Sequence, residues 1–388
     1  MNDSYLIVVK LADFDTAPFT NMNIGFVMRD SIHQIFPEVN FAYNDAGGLA
    51  KEYGVFSYGM PLEVGIVRNE EVIKNRYIVS NYTSEGNNTY GKMDGAINIH
   101  ALHEWYNFQN AVSASYDNRI SEIIKDLVSD YSFNAVNIDG TSNSQIWYRP
   151  FIKEAAFIKD CLLPSAFSEK SNNSPFFCWI DNLGHFNFRS FFEMFDQSPV
   201  DTLFLLGSSF MIPNSIIKIF PYTTDCKKYA YLQKRKIFYI DEDTGDLVEE
   251  EDSLKDYPKN IKGKVPLYKT NDNLNTQSIL FLGEENKIKS DKENQDGIKF
   301  NSIRNGLFLE RIMLTTLGNL NLRAGQTVNL EINSSKDDDA QFKNDYFSGK
   351  WLIEESKFIW DTKQAHSEIV CARQKSEVVS DYLAKKTL

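Results

Sequence analysis

Apolar and polar residues alternate most sharply near the C-terminal end of the chain. Val328, Leu330 and Ile332 are separated by Asn329 and Glu331, the period of a strand buried on one face. Ala324-Gly325 ahead of that run predicts a tight turn, because glycine enters positive φ without the steric cost other residues meet. After a polar loop, Ser348-Gly349 leads into an aromatic-rich strand through Trp351 and Ile353, and Ile369-Val370-Cys371-Ala372 supplies a third. These segments predict one wall of a small β-barrel.

The N-terminal part, residues 1–112, has the same texture. Tyr5–Val9, Val39–Tyr43 and Leu62–Val67 are β-type runs, and Asn98–Leu102 reads as the closing strand. Gly47-Gly48, Gly59-Met60-Pro61 and Glu85–Asn88 punctuate them. Tyr58-Gly59-Met60-Pro61-Leu62-Glu63-Val64 echoes Arg323-Ala324-Gly325-Gln326-Thr327-Val328, a glycine turn entering an alternating strand in both places. The echo predicts an internal duplication.

Between the two, residues 113–200 predict a small α/β domain. Ile120, Ile123, Ile124, Leu127, Val128 and Tyr131 fall on one face of a helix from Arg119 to Tyr131, with Asp117 as its N-cap. Pro150 marks the start of a second helix that runs to Leu163 and stops at Pro164. Phe176–Ile180 and Phe186–Arg189, around Asp181-Asn182-Leu183-Gly184, form a hairpin. The second barrel is expected over 201–240 and 300–375. It is interrupted at 241–299 by a polar insertion with the acidic runs Asp241–Asp243 and Glu249–Asp252, and 376–388 form a tail.

The order, spacing and length of these segments resemble the baseplate hub proteins at the centre of phage tails, a family related to the hub part of the VgrG spikes of type VI secretion. The resemblance rests on Leu320–Ile332, with its Ala-Gly turn, followed by Ser348–Glu354. It implies a mainly β fold with an α+β insertion: two similar tube-forming barrels, the α/β domain between them and a polar insertion within the second. It also implies a structural virion protein of the tail baseplate, assembled in the host cytoplasm. Three copies would form a pseudo-six-fold ring joining a six-fold tail tube to a three-fold spike, with other baseplate proteins around it and DNA passing through the lumen.

Composition is compatible with that reading. The 388 residues suffice for several domains, and 28 Phe with 19 Tyr favour strands. A net charge of -12 argues against a protein that grips nucleic acid, though not against a wall past which DNA slides. No apolar run approaches the roughly 20 residues of a membrane span, and Met1–Ser4 has no basic leader character. Cys161, Cys178, Cys226 and Cys371 are dispersed and read as reduced thiols, so the sequons at Asn81 and Asn87 carry no weight.

Candidates for chemistry are few. His100 and His103 would share a metal only on a helix, and His100 reads as a strand end. Ser335–Asp339 lacks the spacing of a calcium loop. Cys178 and His185 flank the hairpin turn without an orienting partner, and no G-x-S-x-G elbow occurs. With the last strand expected to end near residue 373, no fused peptidoglycan-cutting domain is expected. The expectation is therefore a non-enzyme, with no catalytic, cofactor-binding or metal-ligating residue. The rival readings are a tail-associated peptidoglycan hydrolase and a carbohydrate-binding adhesin. An adhesin would carry its aromatics on exposed loops, whereas Trp179, Trp351 and Trp360 fall in expected strands.

Overall fold

The computed structural model describes residues 5–11, 23–45, 57–68, 71–84, 95–142, 144–166, 168–170, 175–205, 214–220, 223–224, 235–240, 244–252, 276–279, 307–308, 310–332, 347–361 and 364–373. The acidic stretch Ser335–Asp339, the C-terminal tail and Cys226 lie outside them.

Six strands build the first unit: β1 (Tyr5–Leu11), β2 (Asn23–Ser31), β3 (Glu38–Asp45), β4 (Pro61–Arg68), β5 (Glu71–Ser84) and β6 (Gly95–His103). They are ordered β1-β4-β5-β6-β3-β2. Their inward residues, among them Ile7, Val64, Tyr77 and Ile99, make one core that also takes in Leu320 and Phe358 from the far end of the chain. The segment containing Asn98–Leu102 does not close the set, as the sequence suggested. It is an interior strand, paired to β3 and β5, because its alternating apolar face needs neighbours on both sides.

The middle region follows: α1 (Trp105–Phe108), β7 (Val112–Arg119), α2 (Ile120–Val128), β8 (Ala135–Ile138), β9 (Ser144–Ile152) and α3 (Glu154–Ala156). The helix α3 continues as a wider turn over Phe157–Leu162 and a tighter one over Leu163–Ser165, which holds Pro164. The hairpin β10 (Phe176–Ile180) and β11 (His185–Ser190) and helix α4 (Phe191–Asp196) complete the region. The hairpin is where the sequence put it, and β11 also carries β8 in parallel. Two local expectations are corrected. Asp117 does not cap α2: it lies in β7 opposite Ile146. The first turn is capped from a distance, by the Thr141 hydroxyl accepting from Ser121 N–H at 3.0 Å. Pro150 starts no helix but sits in β9 where the ladder with β7 is irregular, between the pairs Ala114–Arg149 and Val112–Ile152. A two-stranded ribbon tolerates proline there because it interrupts no central ladder.

The second unit comprises β12 (Asp201–Leu205), β13 (Ile216–Ile219), β14 (Thr223–Thr224), β18 (Glu310–Leu317), β19 (Thr327–Ile332), β20 (Gly349–Asp361) and β21 (Ala365–Arg373). Its order is β12-β19-β20-β21-β18-β13, and a bridge between Phe204 and Ser215 returns β13 to β12. Leu203, Val328, Leu330, Trp351 and Ile369 fill it. β15 (Arg235–Ile240) does not belong to this unit, contrary to its assignment within 201–240. It forms a separate sheet with β16 (Leu247–Asp252) and β17 (Thr276–Ile279), so the polar insertion contains ordered strands.

The two six-strand orders coincide when β1 to β6 are laid on β12, β13, β18, β19, β20 and β21. The coincidence extends to single hydrogen bonds. Gly59 N–H donates to the Val79 carbonyl and Val79 N–H to the Met60 carbonyl, at 2.8 and 2.9 Å. Gly325 N–H donates to the Ile353 carbonyl and Ile353 N–H to the Gln326 carbonyl, both at 2.8 Å. One step later each fifth strand is bulged against the sixth, between Val79 and Asn81 and between Ile353 and Glu355. Each second strand is bulged against the third as well, between Asn23 and Gly25 and between Ile216 and Lys218. Bulges at matched positions are designed features of a strand's path. The units depart at their first strands: β1 runs antiparallel to β4, whereas β12 runs parallel to β19.

Candidate functional site

Among the described residues, polar and charged contacts are concentrated on one sheet face and at one buried junction. The face arises because β2 pairs with β20, from Gly25 opposite Asp361 to Ser31 opposite Glu355, fusing the two units into one sheet. Alternation turns Phe26, Met28 and Phe358 into the core and Arg29 and Lys357 outward. Across four strands the outward charges interlock. Glu38 on β3 lies 4.0 Å from Arg29 on β2, and Arg29 meets Glu355 on β20 at 2.9 Å. Lys357 then stands 4.0 Å from Glu355 and 3.9 Å from Glu368 on β21. His100 on β6 extends the row, 3.8 Å from Glu38. Hydrogen bonding to Glu355 outweighs burial and raises the Arg29 pKa. The row mixes acids and bases, so it satisfies itself and leaves no cationic stripe for phosphates. Beside it a cleft of about 380 Å³ runs over Val27, Asn40, Asn98, Thr83 and Trp360.

The junction is built around the Gly325 turn. Hairpin β10–β11 is buried on both faces: Phe176, Cys178 and Ile180 face the α2 side, while Phe177 and Trp179 join Ile32, Phe191, Phe308, Ala324 and Leu352. Gly325 has φ +80°, and a Cβ there would stand 2.1 Å from Trp179 Cζ2. Glycine is therefore required twice, for its φ and for the close approach of the indole. Gln197 Nε2 donates to the Gly325 carbonyl at 2.6 Å.

Polar contacts lock the same place. Arg323 Nη1 donates to Asp181 Oδ2 at 2.7 Å and reaches His185 Nδ1 at 2.7 Å. Asp30 on β2, 1 % exposed, accepts from Asn182 N–H at 2.9 Å and Ala324 N–H at 3.3 Å, so one carboxyl ties both units to the hairpin. Burial, reinforced by the nearby Asp181 charge, pushes its pKa up to about 8. Close by, Arg311 grips Glu354 through Nε and Nη2, both at 2.6 Å, and His33 Nε2 meets the same carboxylate at 2.5 Å. Burial alone would raise Glu354, but the hydrogen bonds from Arg311 and His33 prevail and hold it near 2.

The residues weighed from sequence are kept apart. His100 does not end its strand. It and His103 both lie in β6, His103 buried against Tyr77 and Phe133 with burial pushing its pKa down to about 4, His100 on the outer row. Cys178 packs in the α2 core while His185 is engaged by Arg323. Among the described residues, no group of three or more His, Cys, Asp or Glu side chains is placed to hold a metal ion. No helix among them is long and apolar enough to cross a membrane. Sequence reasoning did not find Asp30, Arg323, Glu354 or the charge row, since strand register alone brings these distant positions together. The one available signal was Arg323, immediately before the Ala-Gly turn.

No family model matches the sequence, and no curated protein matches it. Solved structures do match over nearly the whole chain. A tail protein from Neisseria meningitidis MC58 aligns with a TM-score of 0.59 at 9% identity, over 95% of this chain and 97% of that one. The 43 kDa tail protein of prophage MuSo2 from Shewanella oneidensis aligns with a TM-score of 0.55 at 10% identity, over 95% and 98%. A chain of the PdpA-VgrG complex in its lidless form aligns with a TM-score of 0.51 at 11% identity, over 96% of this chain and 65% of that one. The fold is that of phage tail proteins and their VgrG-related counterparts.

Proposed function

We propose that this chain is a structural component of a phage-type tail, the central hub of its baseplate. Three copies form a ring in which each contributes two equivalent units, giving six around one axis. A ring of that kind presents three-fold symmetry to a spike and approximate six-fold symmetry to a tail tube, and closed cyclic symmetry limits its size. The observation that carries this reading is the duplication within one chain: the same strand order, the same glycine turn and the same two bulges occur twice. Its units are the barrel-like sheets of 1–112 and of 201–240 with 300–375, the latter without β15. The α/β region of 113–200 and the insertion of 241–299 stand outside the ring and meet baseplate neighbours.

The charge row Glu38–Arg29–Glu355–Lys357–Glu368 lies on the joined sheet and faces the channel in this arrangement. Its three carboxylates, interlocked with only two basic side chains, let DNA pass without holding it. The chain works by shape and symmetry rather than by catalysis, in a virion assembled in the host cytoplasm. Native mass measurement on the purified 44.6 kDa chain, alone and with tube and spike proteins, tests the stoichiometry. The mass of three copies is expected. A chain that stays single with each partner refutes the proposal.

A further inference from the structure

One pair of carboxyl groups sits between β8 and helix α4, the last element of the α/β region. Helix α4 opens on Ser190-x-x-Glu193, the residues of a capping box. In such a box the serine caps the first turn and the glutamate reaches back to the serine N–H. Half of it forms. Ser190 Oγ accepts from Glu193 N–H at 3.4 Å, but Ser190 N–H donates to Asp139 Oδ2 instead, at 2.9 Å. Asp139 lies just past β8, so a carboxylate from another element has taken the donor that the helix's own sequence assigns to Glu193.

Glu193 is thereby left against Asp139. The two carboxyl groups are within hydrogen-bonding reach, and Glu193 Oε2 is buried with no donor from the described residues. The surrounding charges favour Asp139 as the ionised partner. Arg189 Nε on β11 stands 3.5 Å from Asp139 Oδ2. Lys170 Nζ stands 3.3 Å from Glu193 Oε1, but its side chain is 79 % exposed and water screens it. Glu169, whose N–H donates to the Gly140 carbonyl at 3.0 Å, is itself paired with Arg119 at 3.7 Å. From β20, Lys350 faces Phe195 and Asp196 of α4. Burial, joined by the hydrogen bond and charge of Asp139, pushes the Glu193 pKa up to about 7.

We propose that Asp139 and Glu193 form a two-position switch governed by one proton. In the first position Glu193 O–H donates to Asp139, and Asp139 holds the Ser190 N–H. When the proton passes to water, two carboxylates compete for that N–H. Glu193 then completes its capping box and Asp139 moves onto Arg189. Helix α4 keeps a cap in both positions, so what the proton controls is the loop Asp139–Thr141. That loop sends Asp139 N–H to the Phe188 carbonyl at 2.9 Å, and its Thr141 hydroxyl accepts from Ser121 N–H in the first turn of α2 at 3.0 Å. The folded pKa of Glu193 lies above its ordinary 4.5, so the proton-bound position prevails below pH 7 and gives way above it. The switch belongs to the single chain and does not depend on the ring.

Hydrogen exchange of the full chain at pH 6 and pH 8.5, corrected for the intrinsic effect of pH, tests it. A group titrating at pH 7 loses up to about thirtyfold of its proton-bound population by pH 8.5. Protection of the residue-139 amide should therefore fall about tenfold, while that of Leu330 in β19 changes less than about twofold. In E193Q, and likewise in D139N, a carboxamide N–H replaces the shared proton, so residue 139 should stay protected at both pH values. An unaltered chain in which residue 139 changes no more than Leu330 overturns the switch. So does an E193Q chain that loses protection at residue 139 as steeply as the unaltered one. If E193Q does not fold, D139N takes its place. If neither folds, the unaltered chain decides: a selective loss at residue 139 supports the switch and no such loss refutes it.

Discussion

Replacing Gly325 by alanine isolates what the junction turn does, because Gly59 provides its control within the same molecule. Both glycines have φ +80° and both donate to the fifth strand of their unit. An alanine at either pays the left-handed penalty of roughly 1–2 kcal/mol. The surroundings differ. A Cβ on Gly59 meets only Asn107 Nδ2, at 3.5 Å, an ordinary contact. A Cβ on Gly325 meets Trp179 Cζ2 at 2.1 Å and Cη2 at 2.7 Å, and that indole is 1 % exposed with no room to retreat. Forcing volume into a packed core adds about 1–3 kcal/mol, so G325A should cost about 2–5 kcal/mol and G59A about 1–2 kcal/mol. Urea unfolding of the two variants reads the difference, and combining G325A with W179L should bring its cost down to that of G59A. If G59A proves as damaging as G325A, or if W179L gives no relief, the Gly325–Trp179 contact does not hold the junction.

Two further predictions concern pH. Glu354 has a folded pKa of about 2, below its ordinary 4.5, so its contribution is complete above pH 4.5 and is lost as pH falls through 2. E354Q, which removes the carboxylate charge that Arg311 grips, should cost about 3 kcal/mol at neutral pH and little near pH 2, as thermal melts across that range will show. Asp30 works in the opposite direction. Its folded pKa of about 8 lies above the ordinary 3.8, so its contribution is greatest below pH 3.8 and declines as pH rises through 8. Stability should therefore fall from pH 6 to pH 9, and D30N should flatten that decline; an equally steep decline in D30N would place its origin elsewhere.

Much of this architecture was legible because it is local. The alternation of Val328, Leu330 and Ile332 becomes β19 with those residues buried, and the Ala324-Gly325 turn takes the positive φ that its glycine announces. The hairpin at Phe176–Ser190 was equally plain, although its five buried residues in β10 serve two cores, which a continuous apolar run does not reveal. What escaped was either polar or distant. The ribbon strand Val112–Arg119 reads Val-Ser-Ala-Ser-Tyr-Asp-Asn-Arg and is largely exposed, so no apolar period marks it. The charge row draws on positions 29, 38, 355, 357 and 368, and the junction joins Asp30 to Asp181 and Arg323. Only the pairing of β2 with β20 makes such residues neighbours. The duplication was visible as one echoed turn, and its matched bulges required the register.

The central claim is a ring of three duplicated chains, and particle images test it most directly. Two-dimensional class averages of the purified protein, alone and mixed with its spike and tube partners, should show a hollow ring with three-fold symmetry and six similar lobes around the channel. Particles of single-chain size under every one of those conditions would contradict the account.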